Sequence, residues 1–386
     1  MFRRLVPANR AADAIAALGR VNEGARIQRR GVPAVVRWTC SGDRQMTTHT
    51  IPLRSMRTDG CETFLSQLVT QPDASRYRID CAGLGHISPF GMLMCSYALV
   101  QFRTKHPECA FEVVNHEKQT YAGHMGFFRA FGADFGRAPG EALGSAHYIP
   151  VTLIGVDAIR RDARDNMMAV QSWLEREASR LAGMLVQHAT YEVRRALVFS
   201  LTEVLRNIVE HSQATQMGYC AQYWPSSDVV EVGILDSGIG VAASLSRNPF
   251  WNIQSESHAL HLALLPGVSG TAYEGAPRDK DDVWANAGFG LYMASSICRD
   301  AGNFLISSGT SCVELQGAKK ISRHLPIGGT AVRLRVQLSK LAQVEERRGE
   351  IIRKGDELAS KLRGTVPNPT AASKMVRETG EYSVGT

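Results

Sequence analysis

The chain has 386 residues, 44% hydrophobic and 21% charged, a soluble composition with enough apolar material for two ordinary domains. No stretch approaches the roughly 18 uninterrupted apolar residues of a membrane span. The start, Met-Phe-Arg-Arg-Leu-Val-Pro, reaches Asn9, Arg10 and Asp13 before any apolar run, which argues against a secretory signal and for a cytoplasmic protein without membrane association.

The eight cysteines, at 40, 61, 81, 95, 109, 220, 298 and 312, form no Cys-x-x-Cys pair and are read as small buried hydrophobes rather than metal ligands. The net charge of +7 is concentrated at the start, where residues 1–57 hold eleven arginines, no lysine and three acidic residues. Such a segment suits a nucleic acid or an acidic protein surface, or is simply solvated. No zinc-finger or RNP-type signature strengthens the nucleic-acid reading.

Residues 1–30 form the Arg-rich segment, with a short helical pattern at Ala11 to Leu18. An α/β layer follows over 31–135. Its expected strands are Pro33 to Thr39, Thr47 to Leu53, Tyr77 to Cys81 and Ala110 to Val114, and its expected helices are Cys61 to Thr70, Pro89 to Arg103 and Lys118 to Phe131. Within it, Asp80-Cys-Ala-Gly-Leu-Gly-His-Ile-Ser-Pro-Phe-Gly-Met92 resembles the strand–loop–helix signature of STAS domains, the anti-anti-sigma-factor fold. In that family the loop often carries a phosphorylated serine. The matching position here is Phe90, so the resemblance implies the fold without the phospho-switch, and Ser88 is expected to cap the helix.

A Gly/Pro-containing linker is expected at 136–147, and a second domain at 148–340. Tyr148 to Ile154 reads as a strand and Asp165 to Gln187 as a long helix. Thr190 opens a further helix, with Glu192 in its first turn where the helix dipole favours an acid. Gln216 to Trp224 and Asp228 to Leu235 suggest a hairpin. Residues 241–287 are polar and without a clear period, which suggests a mobile lid. Gly290 to Asp300 reads as a helix, and Asn303 to Ser308, Ser311 to Gln316 and Thr330 to Leu338 as strands. Residues 341–386 make a polar tail, an exposed helix in its first half and disordered over its last twenty residues.

Four motifs in the second domain carry chemistry: Glu203-x-x-x-Asn207, Asp236-Ser-Gly-Ile-Gly240, Gly288-Phe-Gly-Leu291 and Gly328-Gly-Thr330. On a helix, Glu203 and Asn207 stand one turn apart on one face. The Asn207 carbonyl is a hard oxygen suited to Mg²⁺, and Glu203 is placed to deprotonate a water attacking a γ-phosphate. Asp236 ends an apolar strand, where a carboxylate needs a donor such as an adenine amine. Gly238 and Gly240 allow a sharp turn close to a flat base. Gly288 and Gly290 precede a helix whose N–H groups suit phosphates, and Thr330 can add a hydroxyl beside Asp236. Singly each motif is ordinary local structure. The ordered set, each member in the required context, is not.

Together they resemble the GHKL ATPase family of gyrase B subunits, heat-shock-ninety chaperones, mismatch-repair ATPases, histidine kinases and anti-sigma-factor serine kinases. The resemblance spans about 150–340. It implies an α+β / α/β protein whose C-terminal domain is a Bergerat-fold two-layer α/β sandwich, preceded by the smaller STAS-like α/β domain. It further implies ATP and Mg²⁺ as cofactors, Asn207 as the magnesium ligand, Glu203 as the base, Asp236 as the adenine anchor and 241–287 as the ATP lid. Histidine self-phosphorylation is disfavoured, because His188-Ala-Thr-Tyr-Glu lacks the adjacent acid and lies too near the ATPase helix. The expected function is an ATP-hydrolysing regulatory switch acting on a protein partner, with a homodimer left open. A protein serine kinase and a non-hydrolysing nucleotide sensor are the alternatives.

Overall fold

The computed structural model describes residues 47–273, 275, 288–362, 364 and 365. The Arg-rich start, the expected strand at Pro33 to Thr39, lid residues 274 and 276–287, and the final twenty residues lie outside them. The described chain is mixed α/β, with a parallel three-stranded sheet and an antiparallel five-stranded sheet.

The parallel sheet has the order β1-β2-β3 and is built from β1 (Thr48–Pro52), β2 (Arg76–Asp80) and β3 (Ala110–Val114). Helices α1 (Thr58–Val69) and α2 (Pro89–Lys105) make the crossovers. Ser88 does cap α2, its Oγ accepting from Gly91 N at 3.1 Å while donating to Met56 O at 2.8 Å. The single helix expected over 118–131 is two short ones, α3 (Thr120–His124) and α4 (Phe127–Ala130). They are separated at Gly126, whose φ of +87° no regular helix accommodates.

After β4 (Tyr148–Gly155) comes a helix the sequence reading did not anticipate, α5 (Val156–Asp165). Only Val156, Ile159 and Ala163 of this largely charged segment are buried. The long helix expected from Asp165 is α6 (Val170–Leu185), and α7 (Tyr191–His211) begins at its Thr190 cap. The hairpin strands are β5 (Gln216–Trp224) and β6 (Val229–Asp236). Residues expected to be a lid without regular structure include α8 (Gly240–Leu245) and α9 (Glu256–Ala263), with a small core of Leu245, Ala259, Ala263 and Val268. Helix α10 (Gly290–Ala301) leads into β7 (Gly302–Gln316) and β8 (Lys319–Gln337), which complete the order β4-β5-β6-β8-β7. The tail also departs from expectation. Helices α11 (Leu338–Glu346) and α12 (Arg348–Ala359) bury Leu341, Val344 and Ile351 in the main core, and the Tyr292 hydroxyl donates to Ile351 O at 3.1 Å.

Side chains alternate across the five-stranded sheet. Val230, Val232 and Ile234 of β6, with Val332, Leu334 and Val336 of β8, face the core formed with α6, α7, α10 and α11. The opposite face is covered too: Cys220, Leu235, Leu305, Leu325 and Ala331 share one core with α1, α2 and the small sheet. This explains why α2 is apolar around its whole circumference, since it lies between two sheets. Buried charges fasten the layer. Glu231 accepts from Phe90 N at 3.3 Å and from Arg335 Nη1 at 2.7 Å, while Arg333 reaches Thr58, Asn303 and Glu314. The N-terminal module is thus an integral layer on the second sheet face.

A Cβ on Gly233 would stand 2.8 Å from Phe90 Cα. Gly233→Ala is therefore expected to destabilise the protein by about 1–3 kcal/mol as an overpacking substitution. Calorimetry should show one transition at lowered temperature, in which both sheets unfold together.

Candidate functional site

Helix α7 gives the site its rigid wall. Val204, Leu205, Ile208 and Val209 are buried in the main core, which orients Asn207, half-buried one turn beyond Glu203, toward an open cleft. About 840 Å³ of empty space, open solvent included, lies in and around the cleft, with Asn207, His211, Asp236, Gly240, Gly288 and Thr330 among its walls. Residues from four separate parts of the sequence thus meet in one cavity. Its remaining lining is largely apolar, including Val204, Ile234, Leu245 and Leu291.

The floor depends on the pairing of β6 with β8, which sets Asp236 opposite Thr330. Asp236 Oδ1 accepts from Gly238 N at 2.7 Å, and Gly238 lies so close to Ser212 O that a Cβ would come within 2.2 Å. Gly329, with φ of +90°, leaves no room beside Asp236 O. The two turns are joined by Ser308, which the sequence reading missed. Its Oγ accepts from Val241 N at 2.9 Å and donates to Gly329 O at 3.0 Å. Nothing in a Ser-Ser-Gly run marks that role; it arises because the β7–β8 register shifts at Ser308 and Gly309.

Burial pushes the Asp236 carboxyl up to about 7, against hydrogen bonds from Gly238 and Thr330 that favour the ionised form. Its donors are neutral, so an additional N–H from a ligand is well matched to it. Burial also drives the His211 imidazole down to about 4, helped by Arg206 and Arg247, so the cleft carries a neutral histidine at pH 7.

Glu203, Gly238 and Gly290 do not line the cleft, and Glu203 and Gly290 are buried behind its wall. The Glu203 carboxylate, 4% exposed, accepts from Arg206 Nη2 at 2.9 Å and presses on Gly290, the first residue of α10. A Cβ there would fall 1.5 Å from Glu203 Oε2. Gly290 is therefore required by the packing of Glu203, a reason the motif alone does not disclose. Burial pushes the Glu203 carboxyl up to about 7, with Arg206 opposing. Gly288 has φ of +75°, and its carbonyl accepts from Gly267 N at 3.1 Å, which ties the start of α10 to the segment after α9.

Among the described residues no group of three or more His, Cys, Asp or Glu side chains could hold a metal ion. Asn207 fits a metal held mainly by ligand oxygens and water. Among the described residues, too, no helix is long and apolar enough to cross a membrane. No protein-family model matches the chain, and a search of curated proteins found no match.

The raised Asp236 value has a defined consequence for stability. A carboxyl lifted from 3.8 to about 7 on folding destabilises the ligand-free protein as pH rises between those values. Asp236→Asn removes that penalty. Its melting temperature should exceed that of the unsubstituted protein by about 2–4 °C above pH 7, with the advantage shrinking toward pH 4. Thermal melts across pH check this.

Proposed function

We propose that the chain is a GHKL-type ATP-binding protein whose 148–340 region has the Bergerat fold and whose Mg²⁺-dependent ATP hydrolysis regulates a protein partner in the cytoplasm. The observation that carries this reading is the convergence of Asn207, Asp236, Gly240, Gly288 and Thr330 on one cleft between α7 and the α8–α9 segment. Each meets it in the context its chemistry requires. The antiparallel sheet with α6, α7, α10 and α11 on its cleft-bearing face also suits a Bergerat sandwich.

In this reading Asp236 accepts from the exocyclic amine of adenine, with Thr330 and the Gly240 turn beside the flat ring. The apolar walls bury the base. Asn207 supplies a side-chain oxygen to Mg²⁺, and the ion, when bound, neutralises charge developing on the phosphates. Glu203 orients and deprotonates the attacking water once its carboxylate reaches the phosphate end of the cleft.

The loop that the STAS resemblance singles out offers no free acceptor hydroxyl. Phe90 is 1% exposed and packed at the sheet interface, and the neighbouring Ser88 hydroxyl is committed at both its donor and acceptor sides. A kinase activity would need an acceptor other than that loop.

Incubation with γ-labelled ATP and Mg²⁺, alone and with cell lysate, tests the reading. Free phosphate supports it, label on a protein replaces it with the kinase, and neither leaves a sensor. Glu203→Ala should retain ATP affinity and lose turnover by about 100-fold or more. Asp236→Asn should weaken ATP binding itself, as measured by titration calorimetry.

A further inference from the structure

Helix α7 carries a buried cation that the chemistry above does not use. Arg206 is 2% exposed, and Arg206 Nη2 holds Glu203 Oε2 at 2.9 Å. Its Nε is also buried and makes no hydrogen bond among the described residues. That nitrogen faces a second carboxylate, Glu210 Oε2, at 3.8 Å, and the Glu210 side chain is 36% exposed. One guanidinium, with donors in a rigid fork, therefore lies between two carboxylates one turn to either side. One is in full contact and the other just beyond hydrogen-bond reach.

We propose that Arg206 is the positioning residue for Glu203: it holds the carboxylate against Gly290 in a withdrawn pose and, during turnover, exchanges Glu203 for Glu210. The inference rests on the ATPase reading of the same cleft. Glu203 lies behind the wall while Asn207, one turn on, lines it, so Glu203 must move to meet a water at the phosphates. Leaving Arg206 buried without a counter-charge is strongly unfavourable. Glu210 removes that obstacle, because a small rotation of the guanidinium brings Nε or an Nη to its carboxylate. His211, 3.7 Å from Glu210, is neutral at pH 7. The remaining acid that acts on Glu203, Glu175 of α6, repels it. Gly290 completes the device, since any side chain there would occupy the place of the withdrawn carboxylate.

Steady-state turnover and ATP affinity of the full chain with Mg²⁺ test this through Glu210, which is partly exposed and outside the cleft lining. Glu210→Gln should lower kcat about fivefold, the factor corresponding to ~1 kcal/mol of lost ion pairing in the active state. The KM for ATP and the calorimetric affinity should stay unchanged, and Glu210→Asp should recover most of the loss. An unchanged kcat in Glu210→Gln overturns the exchange while leaving the ATPase reading intact. A parallel loss of kcat and affinity also overturns it, since that reports a purely structural role. Absence of turnover in the unsubstituted protein overturns both readings.

Discussion

The antiparallel register between β6 and β8 is the constraint on which the two faces of the molecule depend. By placing Asp236 opposite Thr330 it builds the floor of the cleft, and by placing Gly233 opposite Arg333 it shapes the surface that receives α2. Period-two alternation ties these together. A slip of one residue would turn Val230, Val232 and Ile234 toward α2 and send Glu231 into the main apolar core. Glu231 tolerates burial because Arg335 and Phe90 N meet it on the other face. The cleft and the docking of the N-terminal module are thus two outcomes of one pairing.

Three buried carboxylates show how differently the surroundings can compensate a desolvated charge. Glu231 is closed by an arginine and a backbone N–H, and it pins one layer to another. Glu203 is closed by Arg206 and lies one turn from a cleft-lining residue. Asp236 has only neutral donors and sits where the cleft reaches it. Its titration near neutrality marks a group whose desolvation is incompletely compensated. A ligand donor at that point would offset what the fold alone leaves unbalanced.

The segment after β6 and the tail show a related interdependence. Asn248, fully buried, donates to Ser269 O at 2.8 Å, and Gly364 packs against the Phe250 ring. The chain beyond α12 therefore helps shape the wall formed by residues 240–270. Glu256 of α9 adds an attachment to the β7 edge by accepting from Thr310 N at 2.6 Å.

Much of the local structure was readable from the residues because it depends on neighbours in sequence. The Thr190 and Ser88 caps, the period of α7, the β5–β6 hairpin and the glycine turns follow from short-range sterics and hydrogen bonding. Five of the cleft-lining residues, Asn207, Asp236, Gly240, Gly288 and Thr330, each sit at a recognisable local feature, whereas the part of the lining contributed by residues 241–270 did not stand out. What only the tertiary structure decided was partnership at a distance. That α2 is buried on two sides, that α11 and α12 join the core, that Ser308 joins two glycine turns and that Glu203 faces Arg206 all depend on chain segments far apart in sequence. A residue's type and period determine what it can do, whereas burial and the nearest charge, set by the whole fold, determine which of those things it does.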